Sequence, residues 1–206
     1  MLRAASTQPS LLGGGDPAVD GGALARVRRM ALDDDAWVEH LPGWVSGHEA
    51  LLEHLVRTTA WRTERRLMYD RMVDVPRLVA ALPADGPGHV VLEEIRSLLN
   101  ARYETTFVNL SLGYYRNGSD SVAWHGDTTA RDLPQAIVAT ISLGEPRKFL
   151  LRPRTRGSRA QTFMLGWGDL IVMGGSCQRT WEHSVPKVAH AWPRMAVMYR
   201  PEWKKP

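Results

Sequence analysis

Apolar positions along the chain change period near its middle. In residues 48–57 (HEALLEHLVR), Leu51, Leu52, Leu55 and Val56 fall at helical spacing and predict a helix. In residues 89–103, Val91, Leu92, Ile95, Leu98 and Leu99 share one face of a 3.6-residue period. That pattern predicts an amphipathic helix packed on a sheet. Leu24, Val27 and Arg28 open a shorter helical pattern, so residues 23–57 read as helical apart from the Pro-Gly-Trp turn between the two runs. Ahead of them, residues 1–22 are rich in Gly, Pro, Ser and Ala and read as an irregular arm. The segment MYDRMVDVPRL alternates and predicts a short strand or ribbon ending at Pro76. From residue 105 onward the runs are short, β-branched and aromatic: TTFVNLSLGYY, SVAWHGD, AIVATISLG, RKFLLRPR, AQTFMLG, DLIVMGG and RMAVMYR. RNGSD between the first two reads as a turn, and TRGS as the turn of a hairpin. Helices followed by many short strands predict an α+β protein with a jelly-roll or sandwich core.

Composition narrows the class. The 206 residues are 44% apolar and 23% charged, which suits one globular domain. No run approaches the length of a membrane span, and the N-terminus lacks the apolar stretch of a secretory signal. The single cysteine, Cys177, excludes an internal disulfide and a Cys-rich zinc site. It reads as a structural thiol of a cytoplasmic protein. The net charge of +4 is unevenly spread. Residues 1–103 carry 12 Lys+Arg against 14 Asp+Glu, and residues 104–206 carry 14 against 8. A polyanion-binding surface is therefore expected on the C-terminal half.

Three groupings carry chemistry. His125-Gly126-Asp127 places an imidazole and a carboxylate two apart, on one side of an extended segment. A third ligand from a distant strand, such as His183, would complete the two-His-one-carboxylate face used for non-haem Fe(II). Without that third ligand, H-x-D is equally an ordinary loop. In RMAVMYR, strand alternation puts Arg194, Ala196, Met198 and Arg200 on one face and Met195, Val197 and Tyr199 on the other. Two guanidinium groups in an apolar setting fit a small dicarboxylate, whereas on an edge strand they would be solvated. Residues 147–159 hold Arg147, Lys148, Arg152, Arg154, Arg156 and Arg159 with no acid among them. Such a run is either a solvated face or a contact for a nucleic-acid backbone.

The blocks YYRNGSDSVAWHGD, ISLGEPRKFLLRPR, GDLIVMGGSCQRTWEHSVPK and PRMAVMYR, in that order, resemble the AlkB family of Fe(II)- and 2-oxoglutarate-dependent alkylation-repair dioxygenases. The resemblance covers roughly residues 60–203 and is clearest over 105–203. It implies a double-stranded β-helix, a jelly-roll variant, over residues 105–206. Residues 23–104 would then be helical support with a nucleotide-recognition lid. His125, Asp127 and His183 match the catalytic iron ligands. Arg194 matches the arginine that pairs with the far carboxylate of 2-oxoglutarate, Arg200 the second arginine near it, and Tyr115 a tyrosine that hydrogen-bonds the co-substrate.

Fe(II), 2-oxoglutarate and dioxygen are thus the implied cofactor and co-substrates. The implied reaction is oxidative removal of N-alkyl groups from bases of DNA, or of RNA, by a monomer. Tyr69 in the lid is the candidate for stacking on a flipped base, with Trp61 behind it. Trp124 and Trp181 are expected in the core. Arg147, Arg152, Arg154 and Arg156 are the candidate phosphate contacts. Three positions depart from the family pattern: Gly113 and Ala196 stand where relatives often carry Asn, and Thr128-Thr129 follow the metal motif where relatives often carry acids. The altered loop leaves two alternatives: the same chemistry on a protein or small molecule, or a non-catalytic nucleic-acid-binding module.

Overall fold

A computed structural model of the chain describes residues 15–68, 71–83, 86, 88–127, 133–155 and 159–201. The elements run β1 (Ala18–Val19), a 3-10 turn (Gly21–Arg26), β2 (Arg29–Ala31), β3 (Ala36–Leu41), β4 (Val45–Ser46), α1 (His48–Thr58), β5 (Arg62–Met68), β6 (Arg71–Leu82) and α2 (Val90–Tyr103). They continue with β7 (Phe107–Tyr115), β8 (Val122–His125), β9 (Val138–Gly144), β10 (Arg147–Pro153), β11 (Gln161–Leu165), β12 (Asp169–Gly175), α3 (Cys177–Thr180), β13 (Trp181–Val185) and β14 (Arg194–Pro201).

Two antiparallel sheets make the jelly roll. The larger has eight strands in the order β2-β3-β12-β9-β14-β7-β6-β5, and the smaller has four in the order β11-β10-β13-β8. The central strand β9 is buried along its whole length, as expected of a strand covered on both faces. On its outer side the large sheet carries α1 and α2, whose Leu51, Leu52, Leu55, Leu92, Ile95 and Leu99 pack with Ile141, Leu143, Met195 and Val197. The Tyr199 hydroxyl donates to the Leu92 carbonyl at 3.1 Å and ties β14 to α2. A second core lies between the sheets, where Ile171, Met173 and Ala196 meet Phe149, Leu151, Trp181 and Val185. Among the described residues, no helix is long and apolar enough to cross a membrane.

The structure departs from the sequence expectation in three places. Residues 15–22 contain β1 and the start of the 3-10 turn, not only irregular chain. Between that turn and α1 the chain forms β2, β3 and β4 instead of helix. β3 is covered on both faces: Ala36 and Val38 enter the inter-sheet core while Trp37 and Leu41 pack on the helical side with the buried Glu39, which accepts from the Tyr103 hydroxyl. A strand covered on both sides shows no alternation to read. The ribbon expected to end at Pro76 runs to Leu82. The β5–β6 register moves from Glu64↔Val75 to Thr63↔Leu78, so Pro76 and Arg77 form a bulge. A bulge accepts a proline because its missing N–H breaks no ladder bond.

Candidate active site

A cavity of about 570 Å³ opens between the sheets. β6, β7, β9 and β14 supply one wall, and β8, β10 and β13 supply the other.

The β8–β13 pairing sets His125 directly opposite His183, with ring centroids 4.3 Å apart. His125 Nδ1 lies 2.8 Å from the Ala123 carbonyl. A carbonyl only accepts, so Nδ1 carries the proton and Nε2 the lone pair, as metal-ligating imidazoles require. His183 is held well below the ordinary histidine range, first by burial and then by His125 and three arginines, Arg77, Arg200 and Arg154. It is therefore a neutral ligand-type imidazole at pH 7. Asp127 follows on the loop after β8. Its N–H donates to Gln178 Oε1 at 2.9 Å, and Gln178 is buried. A Cβ at Gly126 would lie 2.3 Å from the Gln178 carbonyl oxygen, so only glycine allows this loop to press against α3. The Asp127 carboxylate accepts a hydrogen bond from Arg200 Nε.

All three side chains line the one cavity, yet among the described residues they do not close into a cluster that could hold a metal as they stand. The donor set itself fits Fe(II): two imidazoles and a carboxylate, with one imidazole tautomer set by Ala123 and the other kept neutral by burial.

β14 alternates as its sequence predicts. Arg194, Ala196, Met198 and Arg200 line the cavity, while Met195, Val197 and Tyr199 pack under the helices. Arg194 is 1% exposed. Its Nη2 donates to Ser142 Oγ at 2.9 Å, and among the described residues its Nε and Nη1 have no hydrogen-bond partner. Burial pushes its guanidinium down to about 10. A buried cation with two orphaned N–H directions fits a carboxylate. Tyr115 is buried beneath it, with the Arg194 guanidinium 5.1 Å from the ring centroid. Arg200 joins Asp127 and Ser111.

Sequence reasoning missed Arg77 and Gln178. Arg77 is 8% exposed, lines the cavity, and donates from Nη1 to the Tyr115 hydroxyl at 2.8 Å. Nothing in the sequence marks it, because a strand expected to end at Pro76 excludes it. Gln178 lies far from Asp127 in sequence, and only the fold joins them.

The basic hairpin divides by strand parity. Arg147 shares the inward face of β10 with Phe149 and Leu151 and is 2% exposed. It donates to the carbonyls of Asn117, Asp120 and Pro186. Its expected place on a phosphate is therefore corrected: it braces the loop after β7 from inside. Arg152 and Arg154 are outward and exposed, and both grip Glu182, at 3.0 and 2.9 Å. The Arg152 guanidinium lies 4.0 Å from the Trp124 ring centroid.

Trp124 is thus half-buried at the rim and not in the core, whereas Trp181 is buried and bonded to Asp33. Trp61 packs on Tyr114 and donates to the Val56 carbonyl, away from a base-stacking role. Tyr69, Arg156 and the Thr128-Thr129 pair lie outside the described residues. Cys177 is buried, and burial pushes its thiol up to about 12.

A family profile described as the 2OG-Fe(II) oxygenase superfamily matches residues 38–201. The human alpha-ketoglutarate-dependent dioxygenase alkB homolog 3 is 29% identical over 80% of this chain and 66% of its own length. The Arabidopsis thaliana DNA oxidative demethylase ALKBH2 is 33% identical over 47% of this chain and 39% of its own. The chain thus spans just under two thirds of the alkB homolog 3 length. Among solved structures, a Trichoplax adhaerens prolyl hydroxylase in complex with a hypoxia inducible factor peptide superposes with TM-score 0.61 at 10% identity, over 80% of this chain and 83% of that one. OsALKBH1 superposes with TM-score 0.58 at 11% identity, over 85% and 100%. At these identities the structural matches speak for the jelly-roll fold alone. The profile covers most of the chain, and the chain therefore belongs to the 2OG-Fe(II) oxygenase superfamily.

Proposed function

We propose that this protein is an oxidative N-dealkylase of damaged nucleic-acid bases. Family membership implies Fe(II) as metal, with 2-oxoglutarate and dioxygen as co-substrates. The observation that carries the reading is the pairing, in one cavity, of the His125–His183 imidazoles with the buried, orphaned guanidinium of Arg194. In this reading His125, Asp127 and His183 hold the metal. Arg194, Arg200 and Tyr115 hold 2-oxoglutarate. When bound, the iron and its co-substrates supply the oxidation of a C–H bond on the N-alkyl carbon, after which the carbon leaves as an aldehyde.

The chain's own residues do the rest. Ala123 and Gln178 orient the ligand loop. Arg194 neutralises a carboxylate where water does not compete. Phe149, 5.2 Å from the His183 ring, walls the site with apolar surface. A cavity between sheets admits only a base taken out of its stack, so the substrate is single-stranded or flipped. Arg152 and Arg154 at the rim are the remaining phosphate candidates, and a phosphate there would share them with Glu182. The names of the relatives, a dioxygenase and a DNA oxidative demethylase, support the nucleic-acid assignment. We read residues 23–104 as support and lid, residues 105–206 as the catalytic core, and the protein as a cytoplasmic monomer.

The test is a panel of methylated single- and double-stranded DNA and RNA, incubated with protein, Fe(II) and 2-oxoglutarate. Formaldehyde release coupled to succinate formation is expected with at least one. Iron-loaded protein that consumes 2-oxoglutarate with a protein or metabolite, and with no oligonucleotide, would overturn the substrate assignment.

A further inference from the structure

Gly113 on β7 faces Ala196 on β14 directly in the sheet register, and faces Val79 on β6 from the other side. Gly113 has no side chain, and Ala196 presents only a methyl group to the cavity. These are two of the positions at which the sequence departs from the resembling family. The space above Gly113, beside the Met198 methyl, is taken by Arg77. Its Nη1 lies 3.4 Å from where a Cβ at Gly113 would stand, and its Cζ lies 3.8 Å away. The Pro76–Arg77 bulge explains the reach, since a bulge turns a side chain away from the strict alternation of the strand.

Arg77 is more than nine-tenths buried, and among the described residues its Nε has no hydrogen-bond partner. Among the described residues, no ion pair joins Arg77 or Arg194 to a carboxylate. Both guanidinium groups flank the Tyr115 ring, at 5.7 and 5.1 Å from its centroid, and each adds positive potential at the other. Two buried like charges that share a ring and, among the described residues, pair with no carboxylate repel each other until an anion joins them. Among the described residues, the cavity lining therefore holds more positive charge than its carboxylate balances, and the imbalance sits around Tyr115.

We propose that Arg77 is a co-substrate-binding residue. With Arg194 and Tyr115 it forms a two-cation cradle for the dicarboxylate, occupying the room that Gly113 leaves. The proposal rests on the 2-oxoglutarate reading given above. It makes Gly113 a requirement of Arg77, because a larger side chain at 113 and this guanidinium compete for one space.

The test is the dissociation constant of 2-oxoglutarate for Mn(II)-loaded protein, measured calorimetrically without turnover. One hydrogen-bonded charge contributes about tenfold to a hundredfold in affinity, so Arg77→Gln is expected to raise the constant by that factor. Arg77→Lys, which keeps the charge but not the fork, is expected to fall between the two. Gly113→Asn is expected to weaken binding in the wild-type background and to restore part of it beside Arg77→Gln. That reversal of sign would not arise from simple misfolding, and circular dichroism checks the fold of each variant. A wild-type constant in Arg77→Gln, with binding lost in Arg194→Gln, would overturn the role of Arg77 and leave the site reading standing. Failure of wild-type protein itself to bind 2-oxoglutarate would overturn both.

Discussion

Replacing Arg194 with methionine separates what this guanidinium does for the fold from what it does for a ligand. Arg194 is 1% exposed, has one hydrogen bond, to Ser142, and leaves two N–H directions unsatisfied. Burial pushes it down to about 10, against an ordinary arginine value of about 12.5. At about 1.4 kcal/mol per tenfold change in proton affinity, the buried charge destabilises the ligand-free fold by about 3 kcal/mol. Methionine is unbranched and of similar length, so it fills the site without the charge. It leaves the Ser142 hydroxyl without its donor, which costs about 1 kcal/mol. The ligand-free variant should therefore be more stable than wild type by about 2 kcal/mol, or about 4–8 °C in melting temperature for a domain of this size.

Thermal unfolding followed by circular dichroism measures this directly. With Mn(II) present, adding 2-oxoglutarate at a hundred times the wild-type dissociation constant should stabilise wild type by about 2.7 kcal/mol and the variant, binding tenfold to a hundredfold more weakly, by only about 0.4–1.4 kcal/mol. A ligand-free variant less stable than wild type would refute the reasoning, because it would mean that the guanidinium is already balanced inside the fold.

Arg147→Ala should destabilise the protein by about 3 kcal/mol, since it strands the buried Asp120 carbonyl and two partly buried ones, and should leave the salt dependence of oligonucleotide binding unchanged in chemical denaturation and binding titrations. Arg152→Ala should do the opposite, leaving stability near wild type and lowering the salt slope by about one. Gln178→Leu removes the acceptor for the Asp127 N–H and should weaken Co(II) affinity about tenfold in a spectrophotometric titration, with the fold retained. Alkaline pH should erode stability: the folded Cys177 thiol is pushed up to about 12, while the unfolded one ionises near about 8.5. Above that lower value the unfolded state gains by ionising and the native state does not, so stability falls by up to about 1.4 kcal/mol per pH unit for this group, and Cys177→Ala should flatten the slope.

The two helices and the faces of β14 were legible because their signals are local. Leu51, Leu52 and Leu55 declare a helix within one decapeptide, and the alternation in RMAVMYR sorts Arg194 and Arg200 from Met195 and Val197. β2–β4 were not legible. β3 is covered on both faces, and its strand character comes from β12, which lies far along the chain. The hairpin arginines show the same limit within one strand. Counting charges put Arg147 with Arg152, but the strand period separates them. Which side faces the interior is decided by Phe149 and Leu151 meeting the opposite sheet.

The sequence by itself determined the order of chemistry-bearing blocks, the family they resemble and the parity of β14, since these depend on neighbours only a few residues apart. The tertiary structure decided which blocks meet. Antiparallel register set His125 against His183, the Pro76–Arg77 bulge brought a guanidinium over Gly113, and α3 delivered Gln178 to the Asp127 loop. Each of these depends on pairing between distant segments, and a one-residue change in register would turn the same side chains to the opposite face.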